Sequence, residues 1–402
     1  MKKRLAVVTT HPIQYNAPLF ALLAERGNLD VKVFYTWGES VLKNKFDPGF
    51  EREISWDIPL LSGYNYSFEK NVSNEKGSHH FYGIDTPGLN KNLQDYDPHA
   101  ILLYGWSFKS HLAVLRFFRG KVSLIFRGDS HLLDKFGLVR SLKRRLFLAW
   151  IYRAIDLALY TGQNNYDYYR WCGVPRKKLF FGPHAIDNRR FNRSGEECLA
   201  KSKIFRLMLK ISEDAFVFLF AGKLESKKDP FTLIESFINA RLGKEYFLVM
   251  VGNGPLEREL KNIYESNSQL RFLDFQNQSV MPAIYRMADV FVLPSKGPNE
   301  TWGLSVNEAM ATGRPVIVSD KCGCAADLVK NGINGFIFNA GNKNELSSRL
   351  TEITKMDWET MSEASKKIVA GYDVSCLAAA VEESVLHILR DPGNEKPQLK
   401  CL

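Results

Sequence analysis

The chain has 402 residues, 45% hydrophobic and 24% charged, which is enough material for two globular domains and excludes a disordered chain. Its 54 Lys and Arg against 44 Asp and Glu give a formal charge of +10, pointing to an anionic partner: nucleotide, nucleic acid, phosphorylated lipid or acidic membrane surface. The six cysteines are dispersed, and the one CxC pair, Cys322-Gly323-Cys324, has no second Cys/His pair at zinc-finger spacing, so neither a disulfide framework nor a metal site is expected.

Met1-Lys2-Lys3-Arg4 leads into Leu5-Ala6-Val7-Val8, but the apolar run stops at Thr9-Thr10-His11-Pro12. It is too short for a signal-peptide core and reads as a buried first strand, Leu5–Thr9. Val31–Tyr35, Ala100–Tyr104 and Val122–Phe126 follow in the first half, and Phe216–Ala221, Phe247–Val251, Val290–Leu293 and Val316–Val318 in the second. Continuous rather than alternating apolar runs, with helical stretches between them, predict parallel sheets covered on both faces. Each half is therefore expected to be a doubly wound α/β domain.

Residues 39–90 break that rhythm, with Trp56, Tyr64, Tyr66, Phe68, Phe81 and Tyr82 among polar residues. Such a segment is either functional or an aromatic mini-core under a loop. The longest apolar stretch, Leu146 to Tyr160, is interrupted by Arg153 and Asp156, and no membrane span is expected. The domain boundary falls in the turn-rich stretch 182–203. The division is an N-terminal domain over 1–190, a C-terminal domain over 191–372 and a last helix over 373–392 with Leu377, Val381, Val385 and Ile388 on one face.

The chemistry concentrates in Pro294 to Ser319. After the strand ending at Leu293, a loop carries Glu300, a helix is expected to begin near Gly303, and Gly313 ends it. The amides of Trp302, Gly303 and Leu304 suit a diphosphate. Glu308 lies eight residues beyond Glu300, roughly 12 Å along a helix. One carboxylate can accept from sugar hydroxyls and the other from ribose, with the phosphates between. Positive charge comes from Lys223 and Lys228, just after the strand Phe216–Ala221, which can converge on the phosphates and stabilise the leaving nucleoside diphosphate.

Glu300, Glu308 and the following Ala309-Met310-Ala311-Thr312-Gly313-Arg314-Pro315-Val316 closely resemble the signature of the retaining glycosyltransferases of family 4. Gly252-Asn253-Gly254-Pro255-Leu256, Asn331-Gly332-Ile333-Asn334-Gly335 and Pro183 through Phe191 extend the resemblance over about 180 to 340. It implies the GT-B fold, with two facing Rossmann-like doubly wound domains and an interdomain cleft. By that resemblance Lys223, at a position often held by Arg, and Lys228 contact donor phosphates, Glu300 lies at the donor sugar and Glu308 at the ribose. Phe275 and Gln276 border the base, and the last helix braces the N-terminal domain.

The first half resembles the family less. In place of a glycine-rich loop after the first strand it has His11-Pro12-Ile13-Gln14-Tyr15, and in place of the histidine after a middle strand it has Arg127-Gly128-Asp129-Ser130-His131. Asp129 and His131 are alternative candidates for the reaction centre, with His131 equally readable as a capping or core histidine. His11, Gln14 and Arg127 are candidates for the acceptor or N-terminal loop.

The expected reaction moves a sugar from a nucleotide-diphosphate sugar, UDP-linked by preference, to an acceptor hydroxyl with retention, in polysaccharide, lipopolysaccharide or glycolipid biosynthesis. No cofactor or metal is expected beyond the nucleotide-sugar co-substrate. The alternatives are a nucleotide-sugar epimerase on the same fold and a non-catalytic nucleotide-sugar-binding protein. The expected partners are the donor, a lipid-linked or saccharide acceptor and an anionic membrane surface, without nucleic acid. The expected location is cytoplasmic, peripheral on the inner face of the cell membrane. The lipid expectation rests on Arg140, Lys143, Arg144, Arg145 and Arg153 interleaved with Phe147, Trp150 and Tyr152, which read either as a core helix with a solvated basic rim or as a lipid-resting surface.

Overall fold

The computed structural model describes residues 2–39, 45–47, 49–134, 137–192 and 195–390. They fall into two compact units, the first drawn from 1–45, 59–184 and 374–402 and the second from 46–58 and 185–373. Strands β1 (Lys3–Thr9), β2 (Leu29–Tyr35), β3 (Lys45–Asp47), β4 (Arg52–Ile54), β5 (Asn65–Phe68), β6 (Ala100–Tyr104), β7 (Ser123–Arg127), β8 (Leu157–Tyr160) and β9 (Leu179–Phe181) come first. The first unit is a seven-stranded sheet in the order β5-β2-β1-β6-β7-β8-β9, parallel throughout. Its central residues Leu5 to Val8 and Ile101 to Leu103 are fully buried, as strands covered on both faces require.

The second unit continues with β10 (Phe216–Ala221), β11 (Tyr246–Val251), β12 (Leu270–Leu273), β13 (Val290–Leu293), β14 (Val316–Ser319) and β15 (Gly335–Phe338). These form a parallel sheet in the order β12-β11-β10-β13-β14-β15. The strands expected from long apolar runs are the central ones. The strands not expected, β5, β8, β9, β12 and β15, lie at or next to the sheet edges and are only three or four residues long.

The aromatic segment divides between the two units. Tyr64 and Phe68 pack on Tyr35, with the Tyr35 and Tyr64 hydroxyls 2.6 Å apart and the Tyr35 and Phe68 rings stacked at 5.4 Å. That part is a mini-core along the sheet edge. The β3–β4 ribbon instead belongs to the second unit. The last helix, Val374–Arg390, returns to the first unit, where Glu382 accepts a bidentate pair of bonds from Arg26 at 2.8 and 3.0 Å. Among the described residues no helix is long and apolar enough to cross a membrane.

Candidate active site

In a parallel sheet the loops at the carboxyl ends of the strands converge on one edge, where ligands bind. Lys223 and Lys228 follow β10, Phe275 and Gln276 follow β12, and Glu300 follows β13. Residues separated by up to 77 positions are thereby gathered on one rim.

Glu300 is the best-held of them. Its carboxylate is 6% exposed, accepts from Lys228 Nζ at 2.6 Å and accepts from Ser295 Oγ at 2.9 Å. Burial alone pushes this carboxyl up, but Lys228, Lys227 and Ser295 outweigh burial and hold it below its ordinary value. The Glu300 loop is stitched to the β10 loop by Lys296, whose amide donates to the Lys227 carbonyl and whose Nζ reaches Asp229 Oδ1, both at 2.9 Å. From the other side the amides of Gly323 and Cys324 donate to the carbonyls of Glu300 and Trp302 at 3.1 and 3.0 Å.

The helix after the loop spans Leu304–Ala311, with Gly303 before it at φ 98°. A side chain at Gly303 would meet Leu293 Cδ2 at 2.8 Å, so both backbone and space demand glycine there. Trp302 is buried and donates from Nε1 to Asn307 Oδ1 at 2.8 Å, which pins the loop to the helix it precedes. Glu308, 3% exposed, accepts from the Tyr285 hydroxyl at 2.7 Å. Tyr285 and Ser295, which position the two glutamates, are singled out by no sequence motif.

Lys223 stands apart from the Lys228–Glu300 pair. Its ammonium meets Asp47 Oδ1 and Oδ2 at 2.8 and 3.2 Å, at the end of β3 and 176 positions away. Burial pushes the Asp47 carboxyl up, but Lys223 and the amides of Gly49 and Phe50 bring it below its ordinary value. Phe275 lies under the same ribbon, 4.9 Å from Phe50 and 6.1 Å from Trp56 between ring centroids. Gln276 folds back to donate to the Asp274 carbonyl at 3.0 Å.

In the first unit Arg127 is buried and its guanidinium clamps the carbonyls of Gly182 and Pro183 at 2.8 Å each, a structural role. The loop beyond it brings Asp129 Oδ2 to 3.7 Å from His184 Nε2, a pairing that the sequence reading did not anticipate. Burial lowers the His184 imidazole below its ordinary value, although Asp129 opposes it. His131 is buried and its Nδ1 accepts from the Leu133 amide at 3.2 Å, the geometry of a local cap. His11 packs edge-on against Trp37 at 5.0 Å, with Nδ1 2.9 Å from Thr10 Oγ1, and Gln14 lies between β1 and the helix Ala17–Arg26. Asp129 also lines a cavity of about 650 Å³ beside the helix Leu138–Tyr152.

Residues 203–369, most of the second unit, match the family model of glycosyl transferases group 1. An Escherichia coli UDP-Gal:alpha-D-GlcNAc-diphosphoundecaprenol alpha-1,3-galactosyltransferase is 31% identical over 212 residues, 50% of this chain and 52% of that protein. The chain thus matches about half of that relative's length. The alpha-monoglucosyldiacylglycerol synthase of Acholeplasma laidlawii is 24% identical over 72% of this chain and 83% of its own. Anabaena Alr3699/HepE, solved with UDP and glucose, superposes with a TM-score of 0.68 over 96% of this chain and 100% of its own at 17% identity. With two parallel-sheet α/β units, that likeness makes the fold GT-B.

Proposed function

We propose that the chain is a retaining glycosyltransferase that takes its sugar from a UDP-linked donor held at the carboxyl edge of the second sheet. The observation that carries this reading is the buried Lys228–Glu300 pair at 2.6 Å, with Glu308 one helix further on. An ammonium has three N–H donors, so Lys228 can keep Glu300 and still donate to a phosphate oxygen. Glu300 then accepts from sugar hydroxyls, and Glu308 from the ribose. In the transfer the bond from the anomeric carbon to the phosphate oxygen breaks as the acceptor oxygen bonds to that carbon on the same face. The acceptor proton passes to the departing phosphate. Positioning and charge stabilisation, rather than a strong base, lower the barrier.

The solved relative with UDP and glucose and the galactosyltransferase named for a UDP-sugar support UDP as the nucleotide. Relatives named for a diphosphoundecaprenol substrate and for a diacylglycerol product support a lipid-linked acceptor in surface-polysaccharide or glycolipid synthesis. The exposed apolar residues of the basic helix Leu138–Tyr152 favour attachment to an anionic membrane surface over a merely solvated rim. The test is a thermal-shift screen of nucleotides followed by transfer assays. UDP at 100 times its Kd stabilises by about 2.7 kcal/mol through mass action, and product with the donor's anomeric configuration is expected. A protein that UDP does not stabilise, or that releases an inverted product, overturns the reading.

A further inference from the structure

The helix Leu138–Tyr152 has three faces. Leu148, Ile151 and Tyr152 are buried in the core. Arg140, Lys143, Arg144 and Phe147 line the cavity of about 650 Å³. Leu138, Val139, Leu142 and Leu146 are exposed by 90, 70, 57 and 65%. At 3.6 residues per turn the exposed stripe and the cavity stripe are adjacent sectors of roughly 100° each. The cavity floor is aromatic, including Phe126, Tyr168 and Tyr169, and Trp106 packs edge-on to Phe147 at 5.5 Å. Arg144 is held 5.7 Å over the Tyr168 ring. Three cations thus share this apolar cavity with one carboxylate, Asp129.

We propose that this cavity binds the phosphate end of a hydrocarbon-chain phosphate, with Arg140, Lys143 and Arg144 on the phosphate and Trp106 and Phe147 on the first carbons of the chain. A free phosphate would meet the cations only, and a neutral lipid the aromatic wall only. The leucine stripe beside the mouth places the chain's remainder in a bilayer. Identifying the ligand as the acceptor rests on the transferase reading, with Asp129 in the same cavity. Binding itself does not need turnover, so loss of transfer and loss of binding are separate failures.

The probe is monomeric n-decyl phosphate, titrated into the full chain by calorimetry. It is expected to bind at least tenfold more tightly than inorganic phosphate or decyl maltoside, and to weaken at least tenfold in Lys143→Gln/Arg144→Gln. Leu142→Ser/Leu146→Ser should keep that binding and lose anionic vesicles. Equal affinity for decyl phosphate and inorganic phosphate, or an unchanged Lys143→Gln/Arg144→Gln variant, overturns the site. Equal displacement by short-chain phosphatidylglycerol assigns the cavity to bilayer headgroups and overturns its acceptor role.

A second, independent observation concerns Lys223. Besides Asp47, the Phe50 ring covers its ammonium at 5.0 Å, and a Cβ at Gly49 would fall 2.5 Å from its Nζ. The ribbon is pinned around this contact by Arg52 to Asn253 Oδ1 at 3.1 Å and by Asn277 to the Ser55 carbonyl at 2.6 Å. The geometry points to Asp47 as an internal stand-in for the donor diphosphate, a carboxylate that already takes up the Lys223 charge and repels a second anion, so that a phosphate must compete with it. This rests on the donor-site reading. Asp47→Asn is expected to tighten UDP binding about three- to tenfold with uridine unchanged, and Lys223→Ala to weaken UDP. If Lys223→Ala binds UDP normally, the donor-site role of Lys223 fails. If it weakens UDP but Asp47→Asn leaves UDP unchanged or weaker, the stand-in is wrong.

Discussion

The helices Leu304–Ala311 and Leu138–Tyr152 both follow the carboxyl end of a parallel strand, yet they are built for different surroundings. The first buries six consecutive residues, Val306 through Ala311, including the carboxylate of Glu308. The second buries only Leu148, Ile151 and Tyr152 of fifteen and leaves leucines in the open beside arginines. A group that must meet a fixed transition-state charge needs a rigid, desolvated mount, because electrostatic stabilisation depends on preorganisation. A surface that meets lipid needs exposed apolar area and mobile cations, which a core helix cannot offer.

The largest effect is expected in the loop that leads into the buried helix. Glu300→Gln removes the charge opposite Lys228 while keeping the side chain's shape, and transfer should fall 100- to 1,000-fold, roughly 2.7–4 kcal/mol. Circular dichroism should report an intact fold. Wild-type turnover in this variant would take Glu300, and the loop that leads into the buried helix, out of the reaction.

The two units should also respond differently to acid. His111, buried in the first unit between Thr36 Oγ1 at 2.9 Å and the Tyr104 carbonyl at 3.0 Å, is lowered by burial to about 4. Its folded value lies below the unfolded one, so acid protonates the unfolded chain first. Stability is then intact above about pH 6.5 and declines down to about pH 4, by on the order of 3 kcal/mol. Denaturant unfolding at pH 7 and 4.5 checks this, and His111→Gln should flatten the decline.

Tyr285→Phe is a smaller cut, removing only the hydroxyl that Glu308 accepts from. Loss of one hydrogen bond to a charged group is about 1.5–3 kcal/mol, read as weaker uridine and UDP binding by titration. Leu142→Ser/Leu146→Ser should change unfolding free energy by less than about 1 kcal/mol, since both residues are already exposed, while vesicle flotation is lost. At the end of the scale EDTA should leave transfer unchanged if, as proposed, Lys228, Lys223 and the helix amides supply the charge at the phosphates.

The strands that run through the centre of each sheet, Leu5–Thr9 or Val290–Leu293 for example, were legible because burial on both faces demands an unbroken apolar run. Glu300, Glu308 and the glycine between them were legible as candidates for a related reason: they form a fixed spacing along one loop and one helix. His131 had an apt position but is folded into a local cap, while His184, within a stretch read only for its turns, faces Asp129.

Two α/β halves, the candidate glutamates and lysines, and the basic helix could thus be read from the chain alone, since each is a matter of local periodicity, spacing or composition. The folded arrangement alone pairs Lys228 with Glu300 across 72 positions and Lys223 with Asp47 across 176. It also decides which face of Leu138–Tyr152 is open. Ion pairs between distant residues depend on strand order and loop closure, and exposure of a helix face depends on what packs against it. Neither leaves a periodic trace along the chain.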